Sequence, residues 1–144
     1  MRILILLSAL LVSGCTQPAT EQQPVEIERY PFQGSAPLSE AVRVGDTIYL
    51  SGKLGLSREG EQGITAETQR TMEAIKSSLE EKGATLSDVV KCTVFLADMA
   101  DYGAMNDVYR QYFPENPPAR SAVGAGSLVA NALVEIECIA VIGS

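Results

Sequence analysis

The sequence contains no histidine and no tryptophan, and only three of its 144 residues are cysteines. The absence of histidine excludes Ser-His-Asp and Cys-His nucleophile systems and every zinc site that uses a histidine ligand. No metal-site spacing, phosphate-binding loop or G-x-S-x-G nucleophile motif is present. Any catalysis must therefore use carboxylates, Arg, Lys, hydroxyls, thiols or the backbone.

Basic residues are also few, with eleven Lys and Arg against eighteen Asp and Glu, for a formal charge of −7. Proteins that bind nucleic acids carry a basic surface, so this balance predicts no nucleic-acid partner. Hydrophobic residues make up 46% of the chain. That fraction and this length predict one globular domain.

One long apolar run occurs, at residues 3–12, and it is too short to span the roughly 30 Å hydrocarbon core of a membrane. It follows Arg2 and leads into residues 12–15, which look like a bacterial lipobox ending in Cys15. We expect residues 1–14 to be a lipoprotein signal peptide and Cys15 to carry the lipid anchor. The alternative is an ordinary signal peptide with a chance cysteine.

This N-terminus predicts an exported protein on the periplasmic side of a membrane, the outer membrane if the source is Gram-negative. Residues 15–25 include a polar stretch without apolar periodicity, which is typical of a flexible tether. The folded domain is then expected at residues 26–144. Its cysteines, Cys92 and Cys138, lie in apolar strand patterns. Buried reduced thiols are favoured over a disulfide. The disulfide stays an alternative, because export would bring the domain into an oxidising compartment.

A hairpin is expected near the start of the domain. Two apolar alternating runs within residues 41–51 flank Gly45 and Asp46, which are expected to supply the positive φ angles of a tight turn. The order of elements predicts an α+β (or α/β) domain with two helices on one mixed sheet. Further strands are predicted at residues 89–96, 120–125 and 133–142.

Helical spacing predicts two helices. The first has Thr65 as its N-cap and Glu67 on its polar side, and it ends near Gly83 in a left-handed conformation. The second covers residues 101–113, with Tyr112 among its buried side chains.

Two features could carry chemistry. Arg120 follows a proline-stiffened turn and enters an apolar strand, a place that suits bidentate capture of a carboxylate. Glu135 and Glu137 share one face of the last strand, and an acid in a dry pocket would have a raised pKa and could pass protons near neutral pH. The competing interpretation is an exposed Arg-Glu surface pair that contributes little.

These residues belong to a wider pattern, whose blocks cover residues 37–42, 49–52, 89–96, 105–109, 112–114, 117–121 and 135–141. Through these blocks the chain resembles the reactive intermediate deaminase (RidA/YjgF) family. The resemblance implies a chorismate-mutase-like fold, assembled as a homotrimer with clefts between subunits. It also implies hydrolysis of enamines and imines, such as 2-aminoacrylate and 2-imino acids, to 2-keto acids and ammonia without a cofactor.

The resemblance also implies roles for single residues. Arg120 matches the arginine that binds the substrate carboxylate, and Glu135 matches the glutamate that activates the attacking water. Gly52 and Ala122 fall where backbone groups contact the substrate. Ser51 and Asn106 fall at positions that line the cleft in the family.

Three positions depart from the family pattern. Leu38 stands where typical members have a pocket-lining tyrosine, Ala122 where cysteine is frequent, and Lys53 where glutamine is common. These departures indicate a divergent subfamily. The alternative to the deaminase is a lipoprotein without enzymatic activity that binds small carboxylates or a partner on the same trimeric scaffold. RNA cleavage, attributed to some members, is disfavoured by the acidic charge and the export signal.

Overall fold

The computed structural model describes residues 24–143, in which a seven-stranded sheet carries two helices. The predicted signal peptide and Cys15 lie outside these residues. Among them, no helix is both long and apolar enough to cross a membrane. The helices are α1 (Ile64–Glu80) and α2 (Tyr102–Tyr112). The strands are β1 (Ile27–Pro31), β2 (Ser39–Val44), β3 (Thr47–Leu50), β4 (Lys53–Leu54), β5 (Val89–Leu96), β6 (Ala119–Gly124) and β7 (Val134–Val141).

The strands follow the order β1-β2-β3-β7-β5-β6, and β4 pairs with β7 beyond the end of β3. All neighbours are antiparallel except β5 and β6, which are parallel and are joined through α2. A parallel connection requires a long crossover, and α2 supplies it. The sheet is therefore mixed, as the sequence predicts.

Both helices pack on one face of the sheet. Alternate side chains of β7 are buried and join the core with Met72, Ile75 and Leu79 of α1 and Met105 of α2. This arrangement confirms the predicted fold class. It also leaves the other face of the central strands without a helix over it among the described residues.

The predicted hairpin is present as β2 and β3, with Gly45 at a φ of 58°. The positive φ angle expected at Asp46 is wrong, since only Gly45 of the pair adopts one. The predicted N-cap is also wrong, because α1 is capped by Gly63 and Thr65 lies inside it. Gly83 has the expected left-handed conformation, at a φ of 75°.

Two helical side chains differ from the prediction. Glu67 is buried rather than exposed, because its carboxylate accepts hydrogen bonds from the backbone N–H groups of Leu133 at 2.7 Å and Val134 at 3.3 Å. This bond ties the first turn of α1 to the start of β7. Tyr112 is only half-buried, and its hydroxyl donates to Glu73 at 2.8 Å.

Cys92 and Cys138 form a disulfide, so the preference for reduced thiols is wrong. They stand directly opposite each other on β5 and β7, with Cα atoms 4.1 Å apart. Strand pairing brings the two cysteines into contact although 46 residues separate them in the sequence. The bond is buried in the middle of the sheet.

Candidate active site

Glu135 projects from β7 away from the helices. Its neighbours Val134 and Ile136 are fully buried in the core, whereas Glu135 is half-buried on the opposite face. Within residues 24–143 its carboxylate has no hydrogen bond or ion pair. A half-buried carboxylate without a protein partner is available to a ligand.

Gly52 allows that carboxylate to lie against the backbone. A Cβ atom at this position would overlap the carboxylate of Glu135. Gly52 lies between β3 and β4, the two short strands that pair with β7 in succession. The glycine is therefore required by the close approach of Glu135 to the chain.

Four of the predicted site residues line one cavity of about 410 Å³: Leu38, Ser51, Gly52 and Glu135. The Ser51 hydroxyl donates to the carbonyl of Ser39 at 2.6 Å, so it is already engaged. Lys53, which departs from the family pattern and was not predicted as a site residue, also lines this cavity. The rest of the wall consists of side chains that the sequence did not indicate: Phe32, Ala36, Glu40, Leu54 and Val129.

A buried ion-pair network lies beside this cavity. Glu40 receives hydrogen bonds or ion pairs from Lys53, Ser78 and Lys82. Burial alone would raise the pKa of Glu40, but these three donors outweigh it and lower the pKa to about 2. Lys82 also lies over the ring of Tyr30, 5.0 Å from its centroid. The network joins β2, β4 and the end of α1. Sequence periodicity does not predict it, because the pattern within one element does not show which polar side chains of other elements lie nearby.

Arg120 is held by aromatic rings instead of a carboxylate. Its guanidinium carbon lies 4.6 Å from the ring centroid of Tyr109, and one nitrogen donates to the Tyr102 hydroxyl at 3.3 Å. Both tyrosines belong to α2. No acidic side chain of the described residues forms an ion pair with Arg120, so its charge is free to bind an anion.

A second cavity, of about 420 Å³, is lined by Asn106, Tyr109 and Arg120. The buried hydroxyl of Tyr109 has no hydrogen-bond partner among residues 24–143, and burial raises the pKa of this group to about 12. A hydrogen bond with Asn106 and the charge of Arg120 lower the pKa of Tyr102. Arg110 also lines this cavity, where it forms an ion pair with Asp107. Within residues 24–143 the lining therefore combines Arg120, which has no ion pair, with a neutralised arginine and hydrogen-bonding groups.

The two cavities lie on opposite sides of the sheet. Arg120 is directly opposite Cys92, which is directly opposite Cys138, and these side chains share the helix-covered face. Glu135 leaves from the other face. One chain thus cannot bring Arg120 and Glu135 to a single small molecule.

The structure therefore divides the predicted site. It groups Leu38, Ser51 and Gly52 with Glu135, and it groups Asn106 with Arg120. Ala122, on β6 two residues after Arg120, lines neither cavity and packs partly against the core. Within residues 24–143 no three acidic or sulfur side chains cluster as metal ligands would. The substrate-binding and catalytic roles of these residues stay predictions.

The chain is similar in sequence and in structure to several known proteins. The family model described as Endoribonuclease L-PSP matches residues 29–142. A RutC family protein of Pyrococcus abyssi is 44% identical over 108 residues, covering 72% of this chain and 85% of the relative. The 2-iminobutanoate/2-iminopropanoate deaminase of Dermatophagoides farinae is 42% identical over 114 residues, covering 76% and 89%. The crystal structure of RidA from an Antarctic Psychrobacter superposes with a TM-score of 0.71 at 36% identity, covering 84% and 100%.

Proposed function

Because this chain belongs to the Endoribonuclease L-PSP family, we propose that it hydrolyses reactive 2-imino acids and their enamine tautomers to 2-keto acids and ammonia. Relatives 40–43% identical to it bear the name 2-iminobutanoate/2-iminopropanoate deaminase. The observation that carries the proposal is that Arg120 and Glu135, which form no ion pair among residues 24–143, each line a cavity. Arg120 can bind the carboxylate of a 2-imino acid, and Glu135 can activate water for attack on the carbon of its C=N bond.

The chemistry follows from their types. Arg120 binds the substrate carboxylate through paired N–H donors. Glu135 takes a proton from water as the water oxygen bonds to C2 and the electron pair of the C=N bond moves to nitrogen. Glu135 passes this proton to the nitrogen, which gives a carbinolamine. The hydroxyl proton of the carbinolamine then moves to the nitrogen, the C–N bond breaks, and ammonia leaves as the keto group forms. The reaction consumes water only and needs no histidine or cofactor.

The proposal includes assembly as a homotrimer, with each active site shared by two copies. Support comes from the placement of Arg120 and Glu135 on opposite faces of one sheet. A second copy whose helix-covered face meets the open face of the first would bring one Arg120 to the other copy's Glu135. Tyr49 and Val123, on strands of the open sheet, are exposed apolar side chains that such a contact could bury.

Turnover can be measured with 2-iminobutanoate, which an amino-acid oxidase generates in the presence of semicarbazide as a trap. We expect the purified protein to reduce the amount of trapped imine, and Arg120→Ala and Glu135→Gln each to abolish that effect. Glu80→Gln is the control, since Glu80 is an exposed acid on α1, away from the open face of the sheet. Its activity should equal that of the unmodified chain. Loss in both glutamate variants, or in neither, would contradict the role of Glu135.

The alternative function would give a different result. If 2-keto acids bind through Arg120 while no imine is hydrolysed, the chain is a carboxylate-binding protein on the same scaffold. The acidic chain is predicted to leave RNA intact, and incubation of RNA with the purified protein tests this.

Export and lipidation at Cys15 form the second part of the proposal. The lipobox-like residues 12–15 support it, and so does the Cys92–Cys138 disulfide, because disulfides persist in oxidising compartments. The partners of the chain would then be its own copies, a membrane reached through the lipid, and a small 2-imino or 2-keto carboxylate. Membrane fractionation tests the anchor: Cys15→Ala should move the protein from the membrane to the soluble fraction.

A further inference from the structure

The cavity around Glu135 has a wall of exposed apolar side chains. Phe32 is 42% exposed, Leu38 is 47% exposed and Val129 is 71% exposed, and all three line the cavity with Leu54. Exposed large apolar groups that converge on one concavity mark a binding surface. They do not belong to the reacting centre, because none of them can donate, accept or transfer a proton.

The polar groups of this cavity are engaged within the protein, with one exception. Ser51 donates to Ser39, and the charges of Glu40 and Lys53 neutralise each other. The carboxylate of Glu135 alone has no partner among residues 24–143. A ligand in this cavity therefore contacts one carboxylate that can react and, beside it, an apolar wall. Polar ligand atoms against this wall would lose hydrogen bonds to water, so the wall favours apolar ligand atoms.

The backbone beside Val129 is held in an uncommon conformation. Ala130 and Asn131 follow it with φ angles of 55° and 59°, in the left-handed region that few non-glycine residues adopt. Such backbone costs free energy, and it is concentrated at binding and catalytic sites. The short turn at Val129–Asn131 thus fixes the side chain of Val129 at the rim of the cavity instead of burying it.

We infer that this chain prefers 2-imino acids with apolar side chains larger than methyl, and that Leu38 and Phe32 determine this preference. The inference rests on the proposed function, since it places the substrate carboxylate at Arg120 of a neighbouring copy and the C2 atom of the substrate at Glu135. The side chain of the substrate then lies against Phe32, Leu38, Leu54 and Val129. The preferred class is the imines derived from leucine and similar amino acids.

The test compares imines made by amino-acid oxidase from leucine and from alanine, using the purified full-length chain. We expect kcat/KM to be roughly 10-fold or more higher for the leucine-derived imine, because three additional carbon atoms are buried. Leu38→Ser should lower the ratio of the two kcat/KM values several-fold. Leu56→Ser is the matched control, because Leu56 is 45% exposed and lies outside the cavity. It should leave the ratio unchanged.

Calorimetric titration with two 2-keto acids separates this inference from the proposed function. We expect 4-methyl-2-oxopentanoate to bind roughly 10-fold more tightly than pyruvate. The same binding preference without any imine hydrolysis would support the apolar subsite and overturn the deaminase. Equal or better hydrolysis of the alanine-derived imine would overturn the subsite and keep the deaminase. No binding and no hydrolysis would overturn both.

Discussion

Arg120 shows how a single residue is prepared for an anion. Its guanidinium stacks on Tyr109 and bonds to Tyr102, and no carboxylate among residues 24–143 neutralises it. Aromatic faces attract a cation without satisfying it fully, so the charge keeps its affinity for a ligand. α2 therefore positions Arg120, although α2 itself supplies no charged group that contacts it.

The first prediction concerns Tyr109. Tyr109→Leu should raise KM about 3- to 30-fold, because a cation–π contact contributes about 0.5–2 kcal/mol. Tyr109→Phe keeps the ring and should leave KM near that of the unmodified chain. Equal KM values for the leucine and phenylalanine variants of Tyr109 would contradict this positioning role.

A second prediction follows from Glu40. Its pKa of about 2 in the folded chain lies below the ordinary value of 4.5, so ionised Glu40 stabilises the fold at pH above 4.5. That stabilisation should be lost as the pH falls from about 4.5 to about 2. Urea unfolding across this range should show a shallower decline of stability for Glu40→Gln. The control is Glu80→Gln, which changes an exposed acid on α1. Its free energy of unfolding should fall with pH as steeply as that of the unmodified chain. Identical curves for both variants would contradict the network.

Single residues differ in how far the sequence foretells them. The alternation on β7 correctly puts Glu135 and Glu137 on the face away from the core, since a strand has a strict period of two. Glu67 was mispredicted because helical periodicity describes an apolar face and not a carboxylate that reaches backbone donors of another strand. The division of the site also escapes the pattern. Only strand pairing shows that Arg120 and Glu135 leave from opposite faces.

Among the elements, the long periodic ones were predicted well and the short ones were missed. The strand at residues 89–96 and both helices have the expected places, within one or two residues at their ends. β1 and β4 were not predicted. β4 has only two residues, and β1 contains Pro31 and is mostly exposed, so neither has an alternation to detect. Both exist because neighbouring strands offer them free hydrogen-bonding groups.

The disulfide gives the third prediction, at the level of β5 and β7. Closing a 46-residue loop stabilises a fold by up to about 4 kcal/mol through the entropy of the unfolded chain. Reduction, or Cys138→Ser, should therefore lower the free energy of unfolding by about 2–4 kcal/mol in a urea titration. The Cys92→Ala/Cys138→Ala variant should not respond to the reductant.

Thiol titration can contradict the disulfide directly. In a Cys15→Ala background, the unfolded chain without reductant should contain no reactive thiol. Two reactive thiols under these conditions would show that Cys92 and Cys138 are reduced in the protein, and would remove one support for export.

For the whole molecule, the central claim is that one active site is built from two copies. A single chain shows the cavity beside Glu135 and an Arg120 that forms no ion pair among residues 24–143, but it does not show the two groups acting together. Charge and composition predict a globular acidic domain and cannot show how copies associate. The claim therefore needs an experiment in which the two halves are inactivated in different copies.

The direct measurement combines two inactive variants in one oligomer. Arg120→Ala and Glu135→Gln chains, each with its own affinity tag, are co-expressed and purified through both tags, and imine hydrolysis is measured. In the proposed trimer, each mixed assembly has one cleft with both groups intact, so activity should return to about a third of that of the unmodified protein. Each variant purified alone should be inactive. Mixed oligomers that show no activity would contradict a site shared between copies.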